Sequence, residues 1–201
     1  MKVTKRKAKR GRPAQFERSD AVRKATELFW RQGYEGTSMP EISAITGLSP
    51  SSIYNEFGSK RELFLTALDL YLGVWIEGML GPLEHGTEGL TDLDAFLKRL
   101  ATNSDAGLPP GCLAVNTIAE FGDQAASVAT RTARYRAILR RSLNAALHRA
   151  ANRGEISRQG LADKVEALSG IVLSLNLLLA AGAPSEETRR LSRAALALAR
   201  S

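Results

Sequence analysis

Thr37 to Lys60 reads TSMPEISAITGLSPSSIYNEFGSK, and this stretch decides the fold. Ser38-Met39-Pro40-Glu41 has the form of a capping box, with Ser at N-cap, Glu at N3 and Pro in the first turn. Ile42 and Ile45 give the helix that follows an apolar face, and Gly47 supplies the positive φ that ends it. Leu48 turns inward before Ser49-Pro50 opens a second helix, again with Ser at N-cap and Pro at N1. On that helix Ile53 and Phe57, four apart, face the core and leave Ser51, Ser52, Tyr54 and Asn55 outside. Small hydroxyl and amide side chains beside a Tyr, near a helix N-terminus, suit phosphate and base-edge contacts in a DNA major groove. The pattern predicts a helix-turn-helix. The competing interpretation is an ordinary helical hairpin inside a bundle.

Charge placement favours DNA. Of 28 Lys and Arg, eight lie in residues 1–18 (Lys2, Lys5, Arg6, Lys7, Lys9, Arg10, Arg12 and Arg18), against one acid, Glu17. The remainder of the chain is balanced, with 20 basic and 20 acidic residues, so the whole formal charge of +7 sits on an N-terminal arm. A basic arm beside a helix-turn-helix points to nucleic acid. No apolar segment follows the arm, because Gly11-Arg12-Pro13-Ala14-Gln15 is polar and turn-like, so neither a signal peptide nor a transit peptide is expected. Ala167 to Ser185 carries no charge over 19 residues, close to spanning length. Ser169, Gly170, Ser174, Asn176 and Gly182 interrupt it, and a helix buried on all sides, in a core or an interface, explains it better. One cysteine excludes an intramolecular disulfide, and a cytoplasmic location fits.

The rest of the chain reads as helices, with apolar residues recurring at three and four and few β-branched runs. Ser19 is expected to cap a first helix with Val22, Ala25, Leu28 and Phe29 on one stripe, ended by Gly33. Ser59-Lys60-Arg61-Glu62 is another capping box. It opens a long helix with Leu63, Phe64, Ala67, Leu68, Tyr71, Val74 and Trp75 at core spacing, expected to stop at Gly81-Pro82. Further helices are expected from Thr91 or Asp92, from Cys112 to Phe121, and over 124–152, 157–181 and 185–200. The expectation is an all-α chain of about nine helices. It divides into a basic disordered arm (1–15), a three-helix DNA-binding domain (16–78), and a helical bundle for sensing and dimerisation (79–201).

The run AVRKATELFWRQGYEGTSMPEISAITGLSPSSIYNEFGSKRELF resembles the N-terminal domain of TetR/AcrR-type transcriptional regulators. The telling parts are Phe29-Trp30, Gly33-Tyr34-x-Gly36-Thr37-Ser38, Gly47-Leu48-Ser49, and Ile53-Tyr54-x-x-Phe57-x-Ser59-Lys60-x-Glu62-Leu63. The likeness is dense over about residues 16–65. It implies a homodimer that reads a palindromic double-stranded operator, usually as a repressor, and pairs through its last two helices, here 157–200. It also implies a C-terminal pocket for a small-molecule effector; separately, the residues give no reason to expect an enzyme, a cofactor or a membrane partner. The residues expected to meet DNA are Thr37, Ser38, Pro50, Ser51, Ser52, Tyr54, Asn55 and Lys60, with Arg10 and Arg12 from the arm. Glu56 departs from the family pattern, since a carboxylate there would sit close to phosphates unless it turned away. The arm is an optional addition in that family. Its Arg10-Gly11-Arg12-Pro13 resembles the core of an AT-hook, which places two Arg side chains in a narrow A·T minor groove; simple phosphate attraction is the alternative.

Cys112 follows Pro109-Pro110-Gly111 and opens the short helix CLAVNTIAEF, where Cys112, Asn116 and Glu120 share a face. A thiol at a helix N-terminus is expected to have a lowered pKa, and a Gly-Cys-Leu here resembles TetR-type regulators that sense electrophiles or oxidants. A small buried apolar cysteine is the other reading. Trp75, Phe121 and Tyr135, with Met79, Phe96 and Asn176, are candidate pocket residues. His85 and His148 are isolated, nothing has metal-ligand spacing, and no nucleophile–base pair is apparent. The alternatives to an operator-binding regulator are an architectural A·T-rich DNA-binding protein and a helical ligand-binding protein without operator function.

Overall fold

The computed structural model describes residues 14–102, 107–122 and 126–201. The arm, with Arg10 and Arg12, lies outside the described residues. Ten α-helical segments run in the order α1 (Ala14–Gln32), α2 (Met39–Thr46), α3 (Pro50–Phe57), α4 (Lys60–Tyr71), α5 (Glu77–His85), α6 (Leu90–Ala101), α7 (Leu113–Phe121), α8 (Ala126–Asn152), α9 (Leu161–Ala180) and α10 (Ser185–Arg200). A π-helical turn over Leu72–Ile76 joins α4 to α5 without a break. Counted as continuous rods, the described residues form nine helices and no strand.

α1 starts at Ala14, earlier than the Ser19 cap predicts, because nothing in Ala14-Gln15-Phe16-Glu17 interrupts a helix. Its buried stripe is Ala21, Val22, Ala25, Leu28, Phe29 and Trp30, and Gly33 closes it at φ 74°. Phe29 meets Phe64 of α4 edge-on at 5.1 Å, and Trp30 meets Tyr71 at 4.9 Å. These pairs fasten α1 along α4, and α2 and α3 rest on the same core through Ile42, Ile53 and Phe57.

The Lys60–His85 rod does not stop at Gly81-Pro82; Pro82 lies inside α5. A proline within a helix frees the carbonyl four residues back, here that of Gly78. Arg99 of α6 donates to it through Nη2 at 3.1 Å, and also to the Met79 carbonyl. That outside donor offsets the lost bond and carries the rod to His85. There Arg149 of α8 takes over, donating to the carbonyls of Leu83 and Glu84. The π-helical turn admits an extra residue and re-registers the face. Val74 is consequently 56% exposed, against the core position its spacing suggests.

The bundle is α5, α6 and α8 to α10, with α8, the longest at 27 residues, packed along α5 and α9. The uncharged run forms most of α9, whose Leu168, Val172, Leu175 and Leu179 are buried within the protomer. On its other side Gly170 and Ser174 lie open and Leu177 is 45% exposed. Among the described residues one helix, Lys60–His85, is long and apolar enough to cross a membrane. Its apolar residues Leu63, Phe64, Leu68, Tyr71 and Leu72 instead pack in the protein core.

Candidate nucleic-acid interface and cavity

The helix-turn-helix is held by its own short-range chemistry. Ser38 N–H donates to Glu41 Oε2 at 2.7 Å, while Glu41 N–H donates to Ser38 Oγ at 3.4 Å, closing the capping box. The Ser38 hydroxyl bond and the backbone bond hold the Glu41 carboxyl below its usual range. Gly47, at φ 75°, turns the chain, and the Ser43 hydroxyl donates to the Leu48 carbonyl across that turn. Ser49 caps α3 by accepting from Ser52 N–H at 3.1 Å, and its Oγ lies 2.9 Å from the hydroxyls of Ser51 and Ser52. Ile53 and Phe57 point into the core; Pro50, Ser51, Ser52, Asn55 and the half-exposed Tyr54 line the outer face. Ile45, expected to face inward, is 40% exposed. An eight-residue helix needs one buried anchor on this thin domain, and Ile42 supplies it.

Glu56 turns away from the outer face. It pairs with Arg18 of α1 at 2.7 Å, and the same guanidinium sits 5.1 Å from the Phe57 ring centroid. The repulsion that a free carboxylate would exert on phosphates is thereby offset. Lys60 opens α4 half-buried, with Nζ 4.3 Å from the Tyr34 ring centroid. Thr37 is a correction: it is 1% exposed and its hydroxyl donates to the Gly33 carbonyl at 2.7 Å. It builds the turn into α2 and presents no surface for a contact. Ser38 remains exposed.

A cavity of about 380 Å³ lies where α1 and α4 meet the bundle. It gathers Trp30 from α1, Tyr71 from α4, Trp75 from the π-helical turn, Met79 from α5, Phe96 and Arg99 from α6, Tyr135 from α8 and Asn176 from α9. Cys112, the N-cap of α7, is also in its wall. Of the candidate sensing residues, the structure brings Trp75, Cys112 and Tyr135 into this wall but not Asn116 or Phe121. Phe121 sits at the other end of α7, against Tyr34 at 5.2 Å and Phe64 at 5.5 Å. Trp30, Tyr71 and Arg99 escaped sequence reasoning. Trp30 and Tyr71 carry the same helical spacing as core residues, and Arg99 carries the look of a solvated charge.

The thiol also departs from expectation. Cys112 is 4% exposed, and burial pushes its pKa up. Hydrogen bonds from the Tyr71 and Tyr135 hydroxyls and from the Val115 and Ala114 amides pull the other way and do not win. Helix-end dipoles stabilise a thiolate only where desolvation is modest; here Cys112 is protonated at neutral pH. Burial likewise raises both tyrosines well above the ordinary phenol value. Trp30 Nε1 is buried and has no acceptor among the described residues. Among the described residues the lining contains no carboxylate. No group of His, Cys, Asp and Glu suited to a metal occurs among the described residues.

Comparison with known proteins agrees with this geometry. The sequence profile of bacterial regulatory proteins of the tetR family matches residues 21–67, and that of the tetracyclin repressor-like C-terminal domain matches 89–195. The chain is 30% identical over 197 residues to the HTH-type transcriptional repressor ComR of Escherichia coli, covering 96% of this chain and 93% of that one. It is 31% identical over 131 residues to the E. coli repressor BdcR, 64% of this chain and 66% of the other. Among solved structures, the TetR family regulator CifR, a cysteine mutant complexed with 26-base-pair double-strand operator DNA, has a TM-score of 0.79. It shares 24% identity and the match covers 93% of this chain and 98% of that one. A three-helix reader matching one profile, a bundle matching the other and a repressor similar from end to end make this chain a member of the TetR family of DNA-binding transcriptional regulators, which are not enzymes.

Proposed function

We propose that this protein is a cytoplasmic repressor that binds a palindromic operator as a homodimer and is released by a small apolar effector. The observation that carries the reading is the outer face of α3. Burial of Ile53 and Phe57 leaves Ser51, Ser52, Tyr54 and Asn55 displayed there, and Glu56, the acid of this helix, is turned aside and paired with Arg18. Ser51, Ser52, Tyr54 and Asn55 read the groove, and Lys60 and Ser38 take phosphates. Arg10 and Arg12 of the arm add minor-groove or phosphate contacts. CifR, with the same fold, was solved on operator DNA, which supports the mode of docking. The open side of α9, with Gly170, Ser174 and Leu177, together with α10, supplies the surface for the second copy.

The cavity suits a largely apolar molecule, since Arg99, the charged side chain of its described lining, is turned onto the Gly78 and Met79 carbonyls. Its aromatic and aliphatic lining favours burial of apolar surface, and its acids, Cys112, Tyr71 and Tyr135, are neutral at pH 7. Trp30 Nε1 offers an unused donor.

Selection of duplexes from a random library by the full chain, followed by footprinting, tests the operator reading. The expected result is a symmetric site whose half-sites are about one helical turn or a multiple apart. Long coverage of A·T-rich DNA without symmetry would favour an architectural role, and no selected site would leave only ligand binding. Sedimentation of the free protein tests the dimer.

A further inference from the structure

α7 is a strut between the cavity and the DNA-reading domain. Its nine residues span about 13 Å at 1.5 Å per residue. At the near end, Gly111 and Cys112 line the cavity. Gly111 lies so close to α9 that a Cβ there would come within 2.7 Å of the Asn176 carbonyl oxygen, and Asn176 is itself in the cavity wall. At the far end, Glu120 reaches across to the turn between α1 and α2. Its Oε2 accepts from Tyr34 N–H at 2.9 Å and its Oε1 from Glu35 N–H at 2.7 Å.

The far end is built for that carboxylate. Gly33 takes φ +74°, and a Cβ on it would lie 3.0 Å from Glu120 Oε2, so glycine both ends α1 and leaves room for the clasp. Phe121 packs beside it on Tyr34 and Phe64. The Tyr34 ring, in turn, carries Lys60 Nζ on its surface. Two successive backbone amides gripped by one carboxylate form a bidentate, charge-assisted contact, stiffer than a single bond to a mobile side chain. The gripped residues lie three and four positions ahead of the Ser38 cap of α2. Anything that tilts α7 at Cys112 therefore moves the entry to the helix-turn-helix.

We propose that Glu120 is the positioning residue that sets the helix-turn-helix on the sensing bundle, its carboxylate fixing the Tyr34 and Glu35 amides. The inference rests on the operator reading above, since its consequence is the separation of the two recognition helices in a dimer. Holding each reader at a fixed place on its bundle makes the pair selective for one half-site spacing.

The test compares the full-length protein with Glu120→Gln and Glu120→Ala, each checked for folding by thermal melting. Gln keeps the shape but has one accepting oxygen, and its NH₂ faces a backbone N–H. Binding is measured on the selected operator and on versions with the half-sites one base pair nearer or farther. Expected are roughly tenfold weaker binding to the best operator and a spacing preference that shrinks to about threefold or less, because half-site spacing is read through rigid geometry. Amide exchange at Tyr34 and Glu35 should also quicken in both variants. Wild-type affinity and spacing preference in both variants would overturn the proposal. So would an equal loss across all spacings that tracks a lower melting temperature, since that marks a merely stabilising bond. If the wild type selects no operator, the operator reading fails by itself; unchanged exchange at Tyr34 and Glu35 in the Ala variant would still overturn the clasp, and faster exchange would support it.

Discussion

The helix-turn-helix and the cavity solve opposite problems. The first is assembled within 24 consecutive residues, Thr37 to Lys60, from caps, one glycine turn and two buried anchors on α3, and it keeps its polar groups outside. The second draws its lining from α1, α4 to α6, α8 and α9 and hides a thiol, two phenols and an indole N–H among apolar side chains. Reading DNA needs polar groups in water, poised to exchange it for phosphate and base edges. Holding the apolar effector proposed for the cavity needs polar groups silenced by burial. In the first region local hydrogen bonds dominate; in the second desolvation does, as the raised pKa of Cys112 shows.

The largest expected effect tests how much the reader depends on its anchors. Phe57→Ala should destabilise the protein by about 3–5 kcal/mol, the usual range for emptying an aromatic core site, and abolish operator binding. Tyr135→Phe in the cavity should leave operator affinity within about twofold, because it removes a hydroxyl and no packing volume. Melting curves and gel shifts on both variants check the contrast. If Tyr135→Phe abolished binding while Phe57→Ala did not, the division of labour would be reversed.

Next comes the surface assigned to the partner copy. Leu177→Asp should give a folded monomer that binds DNA poorly, whereas Leu175→Asp should unfold the protomer, since Leu175 is 0% exposed and an unpaired buried charge is expensive. Sedimentation with circular dichroism distinguishes the two. A folded Leu177→Asp dimer would move the interface elsewhere.

Within the reader, Tyr54→Ala and Lys60→Ala should each weaken operator binding more than about fivefold, the loss of a direct or charge-assisted contact, with little change in melting temperature. Wild-type affinity in both would show that the outer face of α3 is not the reading face.

The smallest effect separates the regions by pH. Glu41 has a lowered pKa in the folded protein, so its stabilising contribution is present above the ordinary carboxyl range and fades as pH falls through the folded value. Cys112, Tyr71 and Tyr135 have raised values, so their contribution is complete below the ordinary thiol and phenol range. It is lost as pH climbs towards the folded values. Amide protection should therefore drop first around α2 in acid and first around α7 in alkali. Simultaneous loss in both regions at both extremes would contradict the separation.

Much of the reader was legible beforehand because its determinants are neighbours in the chain. The Ser38–Glu41 box, the Ser49 cap, the Gly47 turn and the Ile53–Phe57 pair all appear as expected. Thr37 and Ile45 were misplaced because their burial depends on how α2 lies against α1, which spacing does not encode. Pro82 misled for the same reason. A helix continues through a proline when a distant side chain, here Arg99, takes the freed carbonyl. Leu175 and Leu177 lie in one uncharged run, and only the position of α9 against its neighbours says which faces inward.

By itself the amino-acid sequence determined the all-helical class, the caps and turns, the chemistry displayed on α3 and the concentration of positive charge at the N-terminus, because these depend on residues within a few positions of one another. Tertiary structure alone decided that Trp30 shares a cavity with Asn176, that the Cys112 thiol is silenced by burial, that Glu56 is held by Arg18, and that Glu120 grips the turn ahead of α2. Each of these rests on groups 38 to 146 positions apart or on the water excluded between helices, and neither distance in space nor desolvation is written in a local pattern.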